Sequence, residues 1–521
     1  MAGEGTPEVS FELPDHSYEQ FTWELNEHAA ASVPPLMETL PSSMMPPQAG
    51  GELPLRLRIN GYLYMRVVGG REPFAATEPA SADEIATWYE TWEPRIEELA
   101  AQLEQFDPAA VEAGGWRDAI EAQQAQFGRT FAGVHRATVG QAGRASGEFI
   151  ERYGRHFGQE RAVDATALLQ GVPNLTSERV GALWNVSRLL RGAPGLAGQL
   201  RDGRDPRAVD GDGAGEFGRG LEELLGSFGH TTQDHLEDLP SWSEAPSQIV
   251  PFLLTYAGQD DARSPRVAEQ QRAERRRELE AELRAAAESA DGEGGEGGEA
   301  AALLALLPSA QQLVPVTEDH NLLADQRLAS ASRTRWLRIG EHLRALGALS
   351  EPGDVFYLAC GELIDLLEGG VRPSDEELAA RRAQQVAWRS VAAPSSLGAA
   401  EPAASSTGGP AGDSAELNGL EVSAGRYRGR ARVAASLDDA RGLQQGEVLV
   451  CGASTPEWTP LFAVAGAVVT DSGGMLTHCA IVAREYGIPA VVATRWATRD
   501  ISDGATVTVD GAAGTVTVEQ V

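Results

Sequence analysis

The sequence predicts a multidomain protein: a mostly α-helical N-terminal region with a small β-hairpin element, a flexible linker and a C-terminal α/β domain. Three observations carry this prediction. Residues 75–390 repeat apolar side chains at the three- and four-residue spacing of helices. Residues 392–416 are rich in Ala, Ser, Gly and Pro, and Leu397 is their only large apolar residue. Residues 417–521 alternate short Val-rich strands with a helical stretch.

The domain boundaries follow from these changes in composition. Residues 1–20 are polar and acidic, and we predict that they are disordered. The helical domain is predicted over residues 21–391, the linker over 392–416 and the α/β domain over 417–521. A linker of about 25 residues lets the last domain swing by tens of ångströms, because such chains have end-to-end distances of about 5–6 Å × √n.

The β-hairpin is predicted near the start of the helical domain. Residues 53–68 alternate apolar and polar side chains around Asn60–Gly61. This pair is typical of a two-residue hairpin turn, because both positions tolerate a positive φ angle.

Composition excludes several classes of function. The net charge of −33 leaves no broad basic surface, so neither nucleic acid nor an anionic membrane is an expected partner. All 43 basic residues are arginine, which excludes a Schiff-base lysine and a P-loop lysine. The three cysteines are far apart and predict neither a zinc site nor a disulfide framework. The N-terminus lacks an apolar signal segment, and no stretch approaches 18 apolar residues, so a cytoplasmic location is expected.

His478 is the strongest candidate for a reactive side chain. A strand-like stretch ends before Gly473 and Gly474, which permit a tight turn, and Thr477 can act as the N-cap of a short helix that begins at His478. The first N–H groups of a helix lack intrahelical acceptors, and the helix dipole favours negative charge there. A histidine in this place is a suitable nucleophile for a phosphoryl group, and Arg484 could add a charged contact.

Other interpretations of His478 stay open on these residues alone. The histidine could cap the helix or lie hydrogen-bonded in the core. A metal site is disfavoured, because no His, Asp, Glu or Cys stands four residues later. Cys479 is a weaker nucleophile candidate, since a small residue in an apolar helix usually serves packing.

The stretch DSGGMLTHCAIVAREYGIPAVVAT, residues 471–494, resembles the phosphohistidine swivelling domain of the phosphoenolpyruvate-utilising enzymes. The family pattern is Gly–Gly–x–x–Ser/Thr–His–Ala–Ala–Ile–Val–Ala–Arg–Glu, then Gly–Ile–Pro–Ala–Val, and only Cys479 departs from it. Residues 454–462 and the closing hairpin DGATVTVDGAAGTV are similar to the same family. The resemblance implies that His478 is phosphorylated transiently, with Thr477 beside it.

Parts of the helical region are similar to the acceptor-binding middle domain of rifampicin-phosphotransferase-like proteins. The clearest segments are 317–343 and 351–363, and 168–178 and 228–253 match more loosely. In the segment 228–253, the family often has an arginine just after the glycine, where this chain has His230–Thr231. The resemblance therefore does not identify the acceptor.

Two polar groups in this region are candidates for binding the acceptor. Transfer to a hydroxyl needs a His, Asp or Glu side chain within hydrogen-bond reach of the proton. His230 and Asp234 stand at helical spacing and would share one face of a helix. The second group consists of Glu318, Asp319, His320 and Asp325. The alternative is that these side chains are helix caps or solvated surface groups.

The resemblance implies a phosphotransferase that needs a second component. In this family an ATP-grasp domain loads the histidine with the help of ATP and Mg²⁺, and residues 1–75 are too short to contain one. We expect no cofactor or metal on this chain, a separate ATP-grasp partner like the N-terminal part of pyruvate phosphate dikinase, and a small-molecule acceptor with a hydroxyl group. Phenylphosphate synthase has a comparable divided organisation. ATP and phosphoenolpyruvate stay open as donors. The alternatives are a phosphocarrier or regulator without a small-molecule product, and a non-catalytic binding protein with a vestigial domain.

Overall fold

A computed structural model of the chain describes residues 9–26, 32–40, 56–66, 87–158, 161–289, 296–391, 393–394, 396–398, 414–440, 442–454, 458–474 and 477–519. The described part before residue 392 is mostly helical, as predicted. Its α-helices are α1 (Pro35–Thr39), α2 (Trp88–Glu104), α3 (Trp116–Phe157), α4 (Ala162–Leu168), α5 (Leu175–Gly192), α6 (Pro194–Arg201), α7 (Ala214–Phe228), α8 (Val250–Ala257), α9 (Pro265–Ser289), α10 (Glu296–His320), α11 (Arg327–Ala345), α12 (Cys360–Leu367) and α13 (Asp375–Arg389).

The predicted hairpin is confirmed and belongs to a four-stranded antiparallel sheet. Its strands are β1 (Thr22–Leu25), β2 (Arg56–Ile59), β3 (Tyr62–Arg66) and β4 (Ser396–Gly398), in the order β2-β3-β1-β4. Asn60 and Gly61 turn between β2 and β3 with φ angles of 53° and 76°. Strand β4 pairs with β1, so the chain returns to its beginning after the helices.

One long helical run forms the spine of the helical domain. Helix α10 continues through a π-helical segment, Asn321–Gln326, into α11. By length and composition alone, its stretch Gly298–Ala345 is the one helix among the described residues that could cross a membrane. In this structure, it packs against α2, α3 and α9, and its Leu303, Leu328 and Trp336 side chains are buried. Such packing is typical of the core helix of a helical domain.

The C-terminal domain is α/β, as predicted. Its sheet contains β5 (Ser414–Asn418), β6 (Leu420–Ser423), β7 (Arg426–Ala434), β8 (Val448–Cys451), β9 (Ala467–Thr470), β10 (Ala490–Val492), β11 (Thr506–Asp510) and β12 (Thr515–Glu519), in the order β5-β12-β11-β7-β8-β9-β10-β6. The central pairs β7-β8, β8-β9 and β9-β10 are parallel, and the outer pairs are antiparallel. The helices are α14 (Leu437–Ala440), α15 (Thr459–Phe462), α16 (His478–Tyr486) and α17 (Ala497–Asp500).

The predicted N-terminal segment and the predicted linker are only partly described. Residues 14–20 form bends and turns, residues 9–13 have no regular secondary structure, and residues 1–8 lie outside the described residues. Of the predicted linker 392–416, the structure describes 393–394, 396–398 and 414–416, which include β4 and the start of β5. The disordered N-terminus and the flexible linker stay predictions.

An apolar core continues from the helical domain into the α/β domain. It joins Trp184, Phe217 and Leu253 of the helices to Phe462 and Cys479 of the α/β domain. Because burial of apolar surface stabilises by about 25 cal/mol per Å², this shared core favours the docked arrangement of the two domains.

Candidate functional site

Helix α16 begins at His478, where the sequence predicts it. Thr477 occupies the N-cap position with extended backbone angles, φ −73° and ψ 157°. Its side chain makes no capping hydrogen bond to the helix, and its hydroxyl instead donates to the Gly474 carbonyl at 2.8 Å. The first N–H groups of α16 are therefore not occupied by the threonine side chain.

The two glycines before the helix have different structural roles. Gly473 has a φ of 132°, and a Cβ atom added to it would lie 3.1 Å from Val492 Cβ. Gly474 has open space at the Cβ position, and it contributes backbone contacts to Thr477. The backbone thus requires glycine at 473, whereas a Cβ atom would fit at 474.

The His478 ring is largely enclosed, with 12% of its side chain exposed. Its Nε2 atom lies 3.1 Å from Thr459 Oγ1, within the α/β domain. Its Nδ1 atom lies 3.6 Å from Oε2 of Glu318, a buried side chain of helix α10. Phe462 meets the ring edge-on, with the ring centroids 6.3 Å apart. The histidine thus lies between the two domains.

These contacts favour one tautomer of the imidazole. A carboxylate beside Nδ1 stabilises a hydrogen on that nitrogen, and the lone pair is then on Nε2. The Thr459 hydroxyl can donate a hydrogen bond to this lone pair. Catalytic triads have a comparable arrangement, in which one ring nitrogen of the histidine acts as the base and the other donates to an orienting carboxylate.

Two hydrogen bonds join the domains near the histidine, and a third lies within its helix. The Tyr256 hydroxyl, fully buried in α8, donates to the Pro460 carbonyl at 2.8 Å. Gln170 Nε2 donates to the Arg484 carbonyl at 2.7 Å, near the end of α16. Arg484 Nε donates to the Ala480 carbonyl at 2.8 Å, within its own helix.

Comparison with known proteins agrees with this architecture. Residues 443–514 match the family described as PEP-utilising enzyme, mobile domain. This range lies within the C-terminal α/β domain, which is thus similar to that mobile domain. Residues 151–318 match the family described as rifampicin phosphotransferase fourth domain. The resemblance seen in the sequence is confirmed for both regions.

Similar proteins extend the comparison beyond the mobile domain. Chondramide synthase of Chondromyces crocatus is 32% identical over 88% of this chain, which spans 13% of that protein. Rifampicin phosphotransferase of Streptomyces sviceus is 30% identical over 69% of this chain, which spans 42% of that enzyme. An uncharacterised phosphotransferase of Bacillus subtilis, YvkC, is 34% identical over 39% of this chain, which spans 25% of that protein. The chain thus spans less than half the length of each of these relatives.

The structure separates the predicted group on α10. Glu318 faces the mobile domain, as described above. The neighbouring Asp319 accepts hydrogen bonds from the Leu175 backbone N–H at 2.6 Å and from the Tyr89 hydroxyl at 2.7 Å. Burial raises the pKa of Asp319 to about 6. Asp319 therefore holds the start of α5, and Glu318 is the member of the group that contacts the histidine.

His230 and Asp234 do not share a helical face, which corrects the prediction from their spacing. The chain after α7 is extended at Thr232, whose backbone N–H donates to Gln326 Oε1 at 2.7 Å. A short 3-10 turn, Gln233–His235, follows. The tertiary contact with Gln326 therefore replaces the local helix.

His230 lines a cavity of about 510 Å³ between α5, the end of α7 and the π-helical segment. The lining residues are Leu175, Glu178, Gly181, Ala182, Asn185, Ser227, Phe228, His230, Leu322 and Leu323. The His230 ring contacts the Leu322 carbonyl through Nε2 at 3.1 Å. Burial, together with the charge of Arg327, lowers the pKa of His230 to about 4, so the ring is neutral at physiological pH.

The last two candidates, His320 and Asp325, lie together beside His135 of α3. The His135 and His320 rings are nearly perpendicular, with centroids 5.1 Å apart. Burial opposes the charge of Asp325, yet His135 and the nearby histidines lower the pKa of its carboxyl to about 2. These residues form a cluster distinct from the contact between Glu318 and His478.

Sequence reasoning did not single out Thr459 or His135. Thr459 lies in the segment that resembles the family before the histidine motif, and a hydroxyl in that segment was the available signal. His135 gave no such signal, because it lies in the middle of a long helix, far from its partners in sequence.

Proposed function

We propose that this chain is the phosphohistidine-carrying and acceptor-binding part of a phosphotransferase. His478 receives a phosphoryl group and passes it to a hydroxyl of a small molecule bound in the helical domain. The observation that carries the proposal is the position of His478 in the docked mobile domain, with Nδ1 toward Glu318 and Nε2 toward Thr459. The similarity to rifampicin phosphotransferases supports it.

The chemistry divides one transfer into two steps through a covalent intermediate. In the first, Nε2 forms a bond to phosphorus while the donor's bond to phosphorus breaks. In the second, the acceptor oxygen bonds to phosphorus, the electron pair of the N–P bond returns to Nε2, and the hydroxyl proton leaves to solvent. A hydrogen on Nδ1 lets the imidazole depart as a neutral ring. Glu318 acts as a positioning residue, because it stabilises that hydrogen and fixes the ring orientation.

The acceptor is proposed to bind in the cavity lined by His230. Its volume of about 510 Å³ suits a small organic molecule, since ligand cavities measure about 300–1,000 Å³. The lining combines apolar side chains with a neutral imidazole, Asn185 and Glu178, which fits a largely apolar molecule that carries hydroxyl groups. Leu322 connects the cavity to the apolar core shared by the domains.

The phosphoryl donor is proposed to be an ATP-grasp module outside these 521 residues, which binds ATP and Mg²⁺. The docked position serves discharge, whereas loading requires the mobile domain to reach the donor. The segment between the domains is rich in small and polar residues and is long enough for such a movement.

A chase experiment tests the proposal. The full chain is phosphorylated chemically with phosphoramidate, and the loss of phosphohistidine is followed by mass spectrometry with phenol, an aliphatic alcohol or rifampicin present. Wild type and Glu341→Gln, an exposed control on α11, are expected to load and to form a phosphoester with at least one compound. Glu318→Gln is expected to load but to discharge at least about tenfold more slowly, because the orienting carboxylate is lost.

Two outcomes would contradict this account. Discharge of the wild type to water alone, with every hydroxyl compound, would favour a phosphocarrier without a small-molecule product. Discharge of Glu318→Gln at the wild-type rate would remove the proposed role of Glu318.

A further inference from the structure

A cluster of three metal-ligating side chains lies where helix α3 crosses the π-helical segment. His135 of α3, His320 at the end of α10 and Asp325 of the π-helical segment each place one ligand atom within 4.8 Å of the other two. His135 Nε2 and Asp325 Oδ1 are 3.4 Å apart. The phosphoryl chemistry proposed above makes no use of this cluster.

Both histidines have the hydrogen-bond pattern of metal ligands. His135 Nδ1 lies 2.8 Å from the Phe131 carbonyl, and His320 Nδ1 lies 3.2 Å from the Val316 carbonyl. A carbonyl oxygen can only accept, so each Nδ1 carries the hydrogen, and a neutral ring then has its lone pair on Nε2. Donation of the second ring nitrogen to a backbone carbonyl is the arrangement that orients histidine ligands around metals.

The carboxylate completes the set. Asp325 Oδ1 is buried and accepts no well-oriented hydrogen bond from any residue in the described part of the chain. Its lone pairs face His135 Nε2, so either a hydrogen on that nitrogen or a metal ion must lie between the two atoms. Two ligands on a tetrahedral zinc ion, each at about 2.1 Å, are about 3.4 Å apart, which matches this separation.

We propose that His135, His320 and Asp325 bind a divalent first-row transition metal ion such as Zn²⁺. Two imidazoles and one carboxylate suit zinc, cobalt, nickel or iron(II), whereas Mg²⁺ and Ca²⁺ prefer oxygen ligands. Three protein ligands leave at least one coordination position for water. His135 is a quarter exposed, which gives the ion a path from solvent.

The position of the site defines what the ion does. It joins α3 to the π-helical segment, and this segment also supplies Leu322 and Leu323 to the wall of the cavity. Metal binding therefore fixes that wall and stabilises the folded helical domain, because the ligands come together only in the native state. The site stands independently of phosphoryl transfer.

The test uses the purified full chain, first treated with a chelator and then dialysed. Co²⁺ is titrated in, and its visible absorption reports ligation by nitrogen and oxygen. Wild type is expected to bind one Co²⁺ per chain, to lose it to Zn²⁺ by competition, and to melt at a higher temperature with Zn²⁺ than without. His135→Gln and Asp325→Asn are expected to bind at least about tenfold more weakly. His16→Gln, which removes a histidine with 96% side-chain exposure, is the matched control and is expected to bind like wild type.

Circular dichroism without metal establishes whether each variant is folded. If one of the two ligand variants does not fold, the other one carries the test. The proposal is overturned if folded wild type binds no Co²⁺, since His135 and Asp325 then form an ion pair alone. It is also overturned if Asp325→Asn and His135→Gln both bind Co²⁺ as tightly as wild type. Neither result depends on phosphorylation of His478, so the two proposals fail separately.

Discussion

At the scale of single residues, the pairing of His478 with Glu318 decides what the histidine can do. A histidine at a helix start is a reasonable anion-binding group, but its preferred nitrogen is undetermined without a neighbour. Glu318 lies on the Nδ1 side and Thr459 on the Nε2 side. Under the proposed function, this arrangement leaves Nε2 as the nitrogen that receives the phosphoryl group.

His230 gives a prediction about pH at the same scale. Its pKa falls from 6.5 to about 4 on burial in the folded protein. Between these values, the unfolded chain binds a proton that the folded chain does not, so stability is lost as pH falls from about 6.5 toward 4. The full shift corresponds to about 3 kcal/mol.

The measurement compares chemical unfolding of wild type and His230→Gln at pH 7 and pH 4.5. The difference in unfolding free energy between these pH values is expected to be smaller in the variant by about 2 kcal/mol. An identical pH dependence in both proteins would show that His230 titrates normally in the folded state.

At the scale of elements, close packing of α11 makes Gly340 a sensitive position. A Cβ atom added to Gly340 would lie 2.1 Å from the Pro352 carbonyl oxygen, which belongs to the backbone and cannot rotate away. Gly340→Ala is expected to destabilise by about 1–3 kcal/mol, because α11 must shift. Gly218→Ala in α7, where the Cβ meets nothing within 4 Å, is expected to stabilise by about 0.5–1 kcal/mol.

The melting temperatures of these variants are measured by thermal unfolding, followed by circular dichroism at 222 nm, a standard helix wavelength. The expected order of melting temperatures is Gly218→Ala, wild type, Gly340→Ala. A Gly340→Ala protein that melts with the wild type would mean that α11 and the turn at Pro352 adapt without cost.

Individual elements were predictable where local chemistry determines them. The helix from His478 to Tyr486 and the hairpin around Asn60–Gly61 follow from glycine turns and from apolar spacing. The π-helical segment Asn321–Gln326 has no local sequence pattern that distinguishes it from an α-helix. The chain after His230 was expected to be helical from residue spacing, and the contact of Thr232 with Gln326 overrides that spacing.

At the scale of the whole molecule, the central feature is the docking of the mobile domain on the helical domain. The sequence indicates each domain separately, and family resemblance indicates their chemistry. The contact of Glu318 with His478 was not predictable, because it depends on packing between segments far apart in the chain. Glu318 was one of several candidate side chains, and only the docked geometry distinguishes it from Asp319 and His320.

Loosening this docking is expected to expose His478. Tyr256→Phe removes the hydrogen bond to the Pro460 carbonyl, which costs about 1 kcal/mol and raises the undocked population about fivefold. Modification of His478 by diethyl pyrocarbonate, mapped by mass spectrometry, is expected to accelerate by a similar factor. Tyr62→Phe removes a comparable bond from strand β3 to the Trp388 carbonyl of α13, away from the contact between the domains, and serves as the control. Equal modification rates in all three proteins would contradict the docking account.

Site mapping of the phosphoryl group tests the central claim most directly. The full chain is treated with phosphoramidate, digested at alkaline pH and mapped by mass spectrometry, with His478→Ala as the reference. We predict that, among the nine histidines, His478 carries the phosphoryl group first and that this signal disappears in His478→Ala. Phosphorylation of other histidines while His478 stays unmodified would contradict the account.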